Sequence, residues 1–153
     1  MREILFRGKR IDNQEWEEGY YVCLNGNEHR IYDGFAETDC GDFYPDWWKV
    51  DPATVGQFTG LTDKNGKRIF EGDILQIVGY GGIIDRCVVG FGIYEAFGKN
   101  RTNVGFFLYW KNDKEQYQKY ANLAWWVEER EAVCVGNIHD NPELIGGASD
   151  ENA

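Results

Sequence analysis

The side chains that most often act as nucleophile or general base are scarce in this sequence: His29 and His139, Cys23, Cys40, Cys87 and Cys134, and the single serine Ser149. His139 lies in Asn137-Ile138-His139-Asp140-Asn141-Pro142, where Asp140 could orient the ring only if the chain bends back on itself. A general base needs its substrate or nucleophile within hydrogen-bond reach, and the run reads as a turn near the end of the domain. Ser149 sits in the polar run GGASDENA, away from any strand-turn-helix signal, which excludes a serine nucleophile on a fixed scaffold. The cysteines are widely spaced, with no CxxC and no short-range Cys–His pairing. Structural zinc ligands come in short-spaced pairs, so the four read as free thiols in or near the core, with Cys134 in AVCVG buried and inert.

Carboxylates are plentiful, and Glu71-Gly72-Asp73 brings two of them together. Acid–base work by two carboxylates requires different environments for each. In a sharp EGD turn the expected role is local, with the carboxylates accepting from backbone amides. Two glycine runs, Gly79-Tyr80-Gly81-Gly82 and Gly90-Phe91-Gly92, lack the lysine and following helix of a phosphate-binding loop. They read as turns or bulges. The expectation is a protein that is not an enzyme, with no catalytic residues, no cofactor and no metal. A deep pocket holding His29 or His139 beside paired acids would reverse it.

The elements that position these residues read as short strands. Ile4 to Ile11 forms a first strand, Trp16 to Leu24 a half-buried second, and His29 to Tyr32 returns across Asn25-Gly26, a pair that tolerates the positive φ of a type I′ hairpin. Asp33 to Trp48 mixes Gly34, Gly41 and Pro45 with acids and the aromatics Phe35, Phe43, Tyr44, Trp47 and Trp48. It reads as a loop packing aromatic anchors onto the sheet, or as a recognition surface, since Trp and Tyr dominate interface hot spots. Asp51 caps a helical turn that starts at Pro52. Asp63-Lys64-Asn65-Gly66 is a second hairpin turn. Ile74 to Val78, Ile83 to Phe91 and Val104 to Trp110 are apolar strands, with Gly90 and Gly92 permitting a bend or bulge. Between Lys114 and Trp126 helical spacing competes with a strand at Leu123 to Val127, and a short helix or irregular segment is preferred. Ala132 to Gly136 is a strand, Pro142 starts a single helical turn, and residues 147–153 read as a disordered tail.

The composition agrees with a mainly β chain. Aromatics make up 16% of its 153 residues, with nineteen glycines and three prolines. The expected architecture is an antiparallel N-terminal meander (1–60) joined to a small SH3-like β-barrel (61–146), with a few short helical turns. The net charge of −10 repels a nucleic-acid backbone and disfavours a large phosphate-binding face. The basic run Arg2, Arg7, Lys9 and Arg10 reads as a solvated strand face. No stretch approaches a membrane span, and charges interrupt any signal-peptide core in MREILFRGKR, so the expected location is cytoplasmic, without membrane contact.

Three blocks carry a resemblance. DPATVGQFTGLTDKNGKRIFEGDIL in the middle, VGNIHDNPELI at the end and ILFRGKRIDNQEWEEGYYV at the start resemble, in the same order, the signatures of the YopX protein family. The resemblance implies one mostly β domain over residues 1–146 in a small soluble protein encoded by a bacteriophage or prophage. It implies no activity and no functional residue.

The resulting functional expectation is a non-enzymatic phage or prophage accessory protein acting as a protein-interaction module, with Phe43, Tyr44, Trp47 and Trp48 as its surface. The competing expectation is an acidic nucleic-acid mimic or anti-defence factor acting on a host enzyme, or a weak nucleic-acid binder that stacks bases on its rings. The protein partner is unidentified, and short edge strands and aromatics also allow a homo-oligomer.

Overall fold

Turn chemistry sets the strand boundaries. In the computed structural model, which describes residues 1–95, 102–110 and 122–146, Asn25 and Gly26 both take positive φ (51° and 75°) and close a tight hairpin. That hairpin joins β2 (Trp16–Leu24) to β3 (Glu28–Glu37). With β1 (Phe6–Lys9), β4 (Phe43–Lys49) and β5 (Gly56–Thr62) these strands form an antiparallel sheet in the order β4-β3-β2-β1-β5. The chain divides into two compact units, Met1–Gly60 and Leu61–Ala153.

In the first unit the core side of the sheet centres on Ile31 and Val50, both essentially without solvent contact. Gly8 leaves room for Val50, since a Cβ there would lie 3.0 Å from the Val50 Cβ. Asp51 and Pro52 start a single 3-10 turn, Pro52–Thr54, as their residue types require: the Asp51 carboxylate accepts from the Ala53 amide at 3.0 Å. The turn is tied back to β1 through Thr54, whose hydroxyl accepts from the Lys9 amide at 2.8 Å.

β5 runs through the boundary and turns at Asp63–Gly66 into β6 (Arg68–Phe70). Gly66 alone takes positive φ (80°) here. The turn is therefore not the two-residue Asn-Gly type seen at Asn25, and its organiser is Asp63.

The described strands of the second unit form an antiparallel sheet in the order β10-β7-β8-β9, built from β7 (Asp73–Val78), β8 (Ile84–Glu95), β9 (Thr102–Tyr109) and β10 (Val133–Asn137). Both faces are covered, which is why β7 reads as the nearly continuous apolar run DILQIV. One face packs Leu75, Ile77, Cys87, Val89 and Leu108 against Ile69, Ala132 and Leu123 of helix α1 (Leu123–Glu129). The other packs Ile74 and Val88 against Ile145 of the short helix α2 (Glu143–Gly146). Each fully buried Ile or Leu contributes about 1.5–3 kcal/mol.

Several expectations change here. No closed barrel is present among the described residues. Asp33 to Trp48 is not a loop but most of a β-hairpin. At Leu123 to Val127 the preferred short helix is present rather than the competing strand, and Asn122 caps it by accepting from the Trp125 amide at 2.9 Å. Gly90 and Gly92 make no bulge, and the β8–β9 register runs unbroken from Val88↔Tyr109 to Glu95↔Thr102. Gly90 instead clears space for the Phe107 ring, whose nearest atom would stand 3.0 Å from a Cβ. The expected turn and helix over 111–121 and the tail at 147–153 lie outside the described residues.

Candidate interaction surface

The region expected as an aromatic loop is a two-stranded arm. β2 pairs with β3 only between Glu28 and Tyr32, whereas β3 pairs with β4 out to Glu37↔Phe43. Beyond Tyr32, β3 is therefore hydrogen-bonded to β4 alone among the described residues. A register shift between Tyr32 and Gly34 marks the departure point. Gly19 on β2 makes that shift feasible, because a Cβ there would stand 2.2 Å from the Tyr32 carbonyl oxygen. At the tip, Thr38 donates its amide to the Asp42 carbonyl at 2.7 Å, the Gly41 amide reaches the Thr38 carbonyl at 2.9 Å, and Gly41 takes a φ of 84°.

The four aromatics expected as one surface separate into two pairs. Trp47 and Trp48, at the base, are half-buried beneath cations: the Arg30 guanidinium lies 3.6 Å from the Trp47 ring centre and that of Arg10 lies 3.8 Å from Trp48. Arg30 is itself held by Glu28 at 2.8 Å and the Tyr32 hydroxyl at 3.1 Å, and its hydrogen bond holds the Glu28 carboxyl below its ordinary pKa. Arg10 is clamped by Asp12 and Glu17. Phe43 and Tyr44, further out, are 70% and 50% exposed. Phe35, 74% exposed, joins them. By strand alternation and the pairing Phe35↔Pro45, Phe35, Phe43 and Pro45 share one face of the arm, with Ala36 and Tyr44 on the other. Phe35 stands outside the four-residue surface expected from sequence, because its place on the arm depends on pairing with a strand that sequence reading took for loop.

The basic run near the N-terminus is not simply solvated. Arg7 is only 8% exposed and lies 4.7 Å from the Trp16 ring centre, with Lys9 over the same ring at 5.6 Å.

The residues weighed for chemistry are dispersed. His29 Nδ1 and the Tyr21 hydroxyl are 2.6 Å apart, and burial, followed by the nearby Cys23, pushes the Tyr21 phenol up. An open cavity of about 510 Å³ reaches Tyr21; Met1, Arg2, Glu3, Ile4, Phe6 and Tyr20 complete its lining, and no histidine lines it. His139 sits in a turn organised by Asn137, whose Oδ1 accepts from the His139 and Asp140 amides at 3.0 and 2.9 Å. Asp73 is buried and accepts from the Phe70 amide at 2.8 Å, the local role expected for the EGD turn, while Glu71 is only half-buried. Asp63, 5% exposed, accepts from the amides of Asn65 and Lys67, both at 2.9 Å, and from that of Cys134 at 3.1 Å. Burial alone would raise its pKa, but these three donors outweigh it and hold the carboxyl below its ordinary value. Among the described residues no group of three or more His, Cys, Asp or Glu side chains is placed to hold a metal ion.

Two of the four thiols expected in or near the core are on the surface: Cys23 and Cys40 are exposed, Cys134 is partly buried and Cys87 is fully buried. Burial pushes the Cys87 thiol far up. Only the thiolate reacts with alkylating reagents. Brief iodoacetamide treatment at pH 8 followed by peptide mass mapping is expected to label Cys23 and Cys40, with Cys87 labelled only after denaturation. Early labelling at Cys87 would show that the second unit opens readily.

Strand order, unit division and surface together define a mainly antiparallel-β protein of two small units, one carrying an aromatic-tipped arm. Residues 5–146 match the family model described as YopX protein, and the chain belongs to the YopX family. Among solved structures it is similar to the crystal structure of protein EF1440 from Enterococcus faecalis, with 23% identity, a TM-score of 0.58, and coverage of 95% of this chain and 99% of that one. That likeness concerns the fold. No curated protein matches the chain. Among the described residues no helix is long and apolar enough to cross a membrane.

Proposed function

We propose that this chain is a non-enzymatic accessory protein of phage or prophage origin, working in the cytoplasm by binding another protein through the β3–β4 arm. One observation carries the reading: three large aromatic side chains, each at least half exposed, project on a ribbon that, among the described residues, is paired only within its own two strands. Isolated two-stranded ribbons are marginal in water, and exposed aromatics are the side chains that anchor interfaces. The phage setting rests on the family.

The test uses the whole chain as bait in bacteria carrying its phage, beside a Phe35→Ser, Phe43→Ser double variant. The expected result is a partner recovered reproducibly with the unaltered chain and lost with the variant, at unchanged circular dichroism. A partner retained by the variant would remove the arm from the proposal.

Self-association through β9 is a second reading. β9 (TNVGFFLY) carries no charged residue or proline and stands last in the strand order of the described residues, where its outer side makes the single bridge Phe107↔Asn122; Phe91, Ile93 and Val104 on its ribbon are exposed. Natural edges are normally guarded by such residues. Light scattering is expected to give more than one chain per particle, and Val104→Lys to return it to one; a monomer at micromolar concentration would end this reading.

A further inference from the structure

We infer that the β3–β4 arm takes a positively charged protein segment, one in which lysine or arginine alternates with apolar side chains. The inference rests on the arm being the docking surface and adds the chemistry of its occupant.

Two observations converge. The first is charge. Between Ile31 and Trp48 the sequence carries Asp33, Glu37, Asp39, Asp42 and Asp46 and no lysine, arginine or histidine. Half of the chain's net charge of −10 therefore falls on this one hairpin. The second is the use of aromatic rings along it. At the base each indole is already covered by a guanidinium of the chain, Trp47 by Arg30 at 3.6 Å and Trp48 by Arg10 at 3.8 Å. Further out, Phe35, Phe43 and Tyr44 stand exposed, and the segment holds no cation of its own to lie over them. Electron-rich ring faces flanked by carboxylates attract a cation twice, through the ring quadrupole and through opposite charge. Phe35, Phe43 and Pro45 share their face with Glu37, so a segment with an alternating pattern lays cations over the ring faces and the Glu37 carboxylate and apolar side chains against Pro45 and the ring edges.

Docking on the faces is also favoured over strand addition. Among the described residues β4 is the outer strand of its sheet, and it carries Pro45 in mid-strand. Proline is tolerated in a sheet where its missing N–H would have faced solvent. The outer edge of β4 therefore lacks a donor where an added strand would need one.

The probes are two synthetic peptides, one alternating lysine and leucine and one alternating glutamate and leucine, titrated into the full-length ¹⁵N-labelled chain. The lysine peptide is expected to shift the amide resonances of Phe35, Phe43 and Tyr44. Its binding is expected to weaken about tenfold or more between 50 and 300 mM salt, as screening of facing charges requires. Asp39→Lys with Asp42→Lys should weaken it with the rings intact, and Phe35→Ser with Phe43→Ser should abolish it. Equal binding of the glutamate peptide, lysine-peptide shifts located elsewhere, or no binding of either would overturn the inference. Concentration-dependent broadening of the arm without peptide would overturn it in favour of a second copy of the chain. If the lysine peptide fails while partner capture still depends on Phe35 and Phe43, the arm remains the docking surface and only its charge preference falls.

Discussion

Replacing Asp63 with alanine is expected to destabilise the second unit by about 3 kcal/mol or more, read as a fall in the midpoint of urea unfolding at pH 7. A hydrogen bond to a charged group contributes about 1.5–3 kcal/mol, and a buried donor left without its acceptor adds a desolvation cost. Asp63 satisfies three backbone donors at once, two inside its own turn and one at Cys134, 71 residues further along the chain. Removing the carboxylate orphans all three. Asp63→Asn should be nearly as damaging, because an amide group that keeps Oδ1 on the turn presents a donor to the Cys134 N–H.

The same site sets a pH dependence whose direction can be stated. The folded-state pKa of Asp63 is lowered, so its contribution is complete above the ordinary carboxylate value of about 4 and is lost as pH falls through the folded value. The stability gap between the unaltered protein and Asp63→Asn should therefore be widest near neutrality and narrow in acid below about pH 4. A gap that stayed constant into strong acid would mean that the carboxylate's charge contributes nothing.

Gly19→Ala should be comparably severe in the first unit, about 3 kcal/mol, at the upper end of what overpacking costs. The added methyl would stand 2.2 Å from the Tyr32 carbonyl oxygen, and backbone cannot rotate out of the way as a side chain can. β2 or β3 would have to move, and the shift at Asp33 that releases the arm from the sheet would move with it. Gly34→Ala is the control: a Cβ there meets nothing within 4 Å, so thermal unfolding should change little. Equal effects of the two substitutions would show that the clash at Gly19 is relieved cheaply.

What sequence reading captured and what it missed divide along the range of the interactions. The Asn25-Gly26 turn, the Asp51 cap and the Asp73 carboxylate each depend on groups within three residues, and all three were legible. The arm was not. Asp33 and Gly34 interrupt the alternation of β3, Pro45 interrupts β4, and each strand is justified only by the other. Both faces of the arm meet solvent, so no apolar-in, polar-out pattern exists to be read. Sorting the exposed pair Phe43 and Tyr44 from the covered pair Trp47 and Trp48 depended on where Arg30 and Arg10 lie, information that sheet register supplies and spacing does not. The barrel expectation is not confirmed for a related reason: a turn followed by two apolar strands is common to a barrel and to the order β10-β7-β8-β9 of the described strands.

That strand order has a consequence for the protein as it leaves the ribosome. The strands of the first sheet, β1 to β6, are all made by Phe70, so each of its pairings is available early. The second must wait. β7 pairs on one side with β8, made soon after it, and on the other with β10, near the end of the chain. Between the synthesis of Asp63 and that of Cys134, a gap of 71 residues, bacterial elongation at about 5–20 residues per second takes roughly 4–14 s. Through that interval one edge of β7 and the Asp63 carboxylate lack their last partner. Nascent chains arrested just before Val133 should therefore be far more sensitive to protease in the second unit than chains arrested after the closing turn.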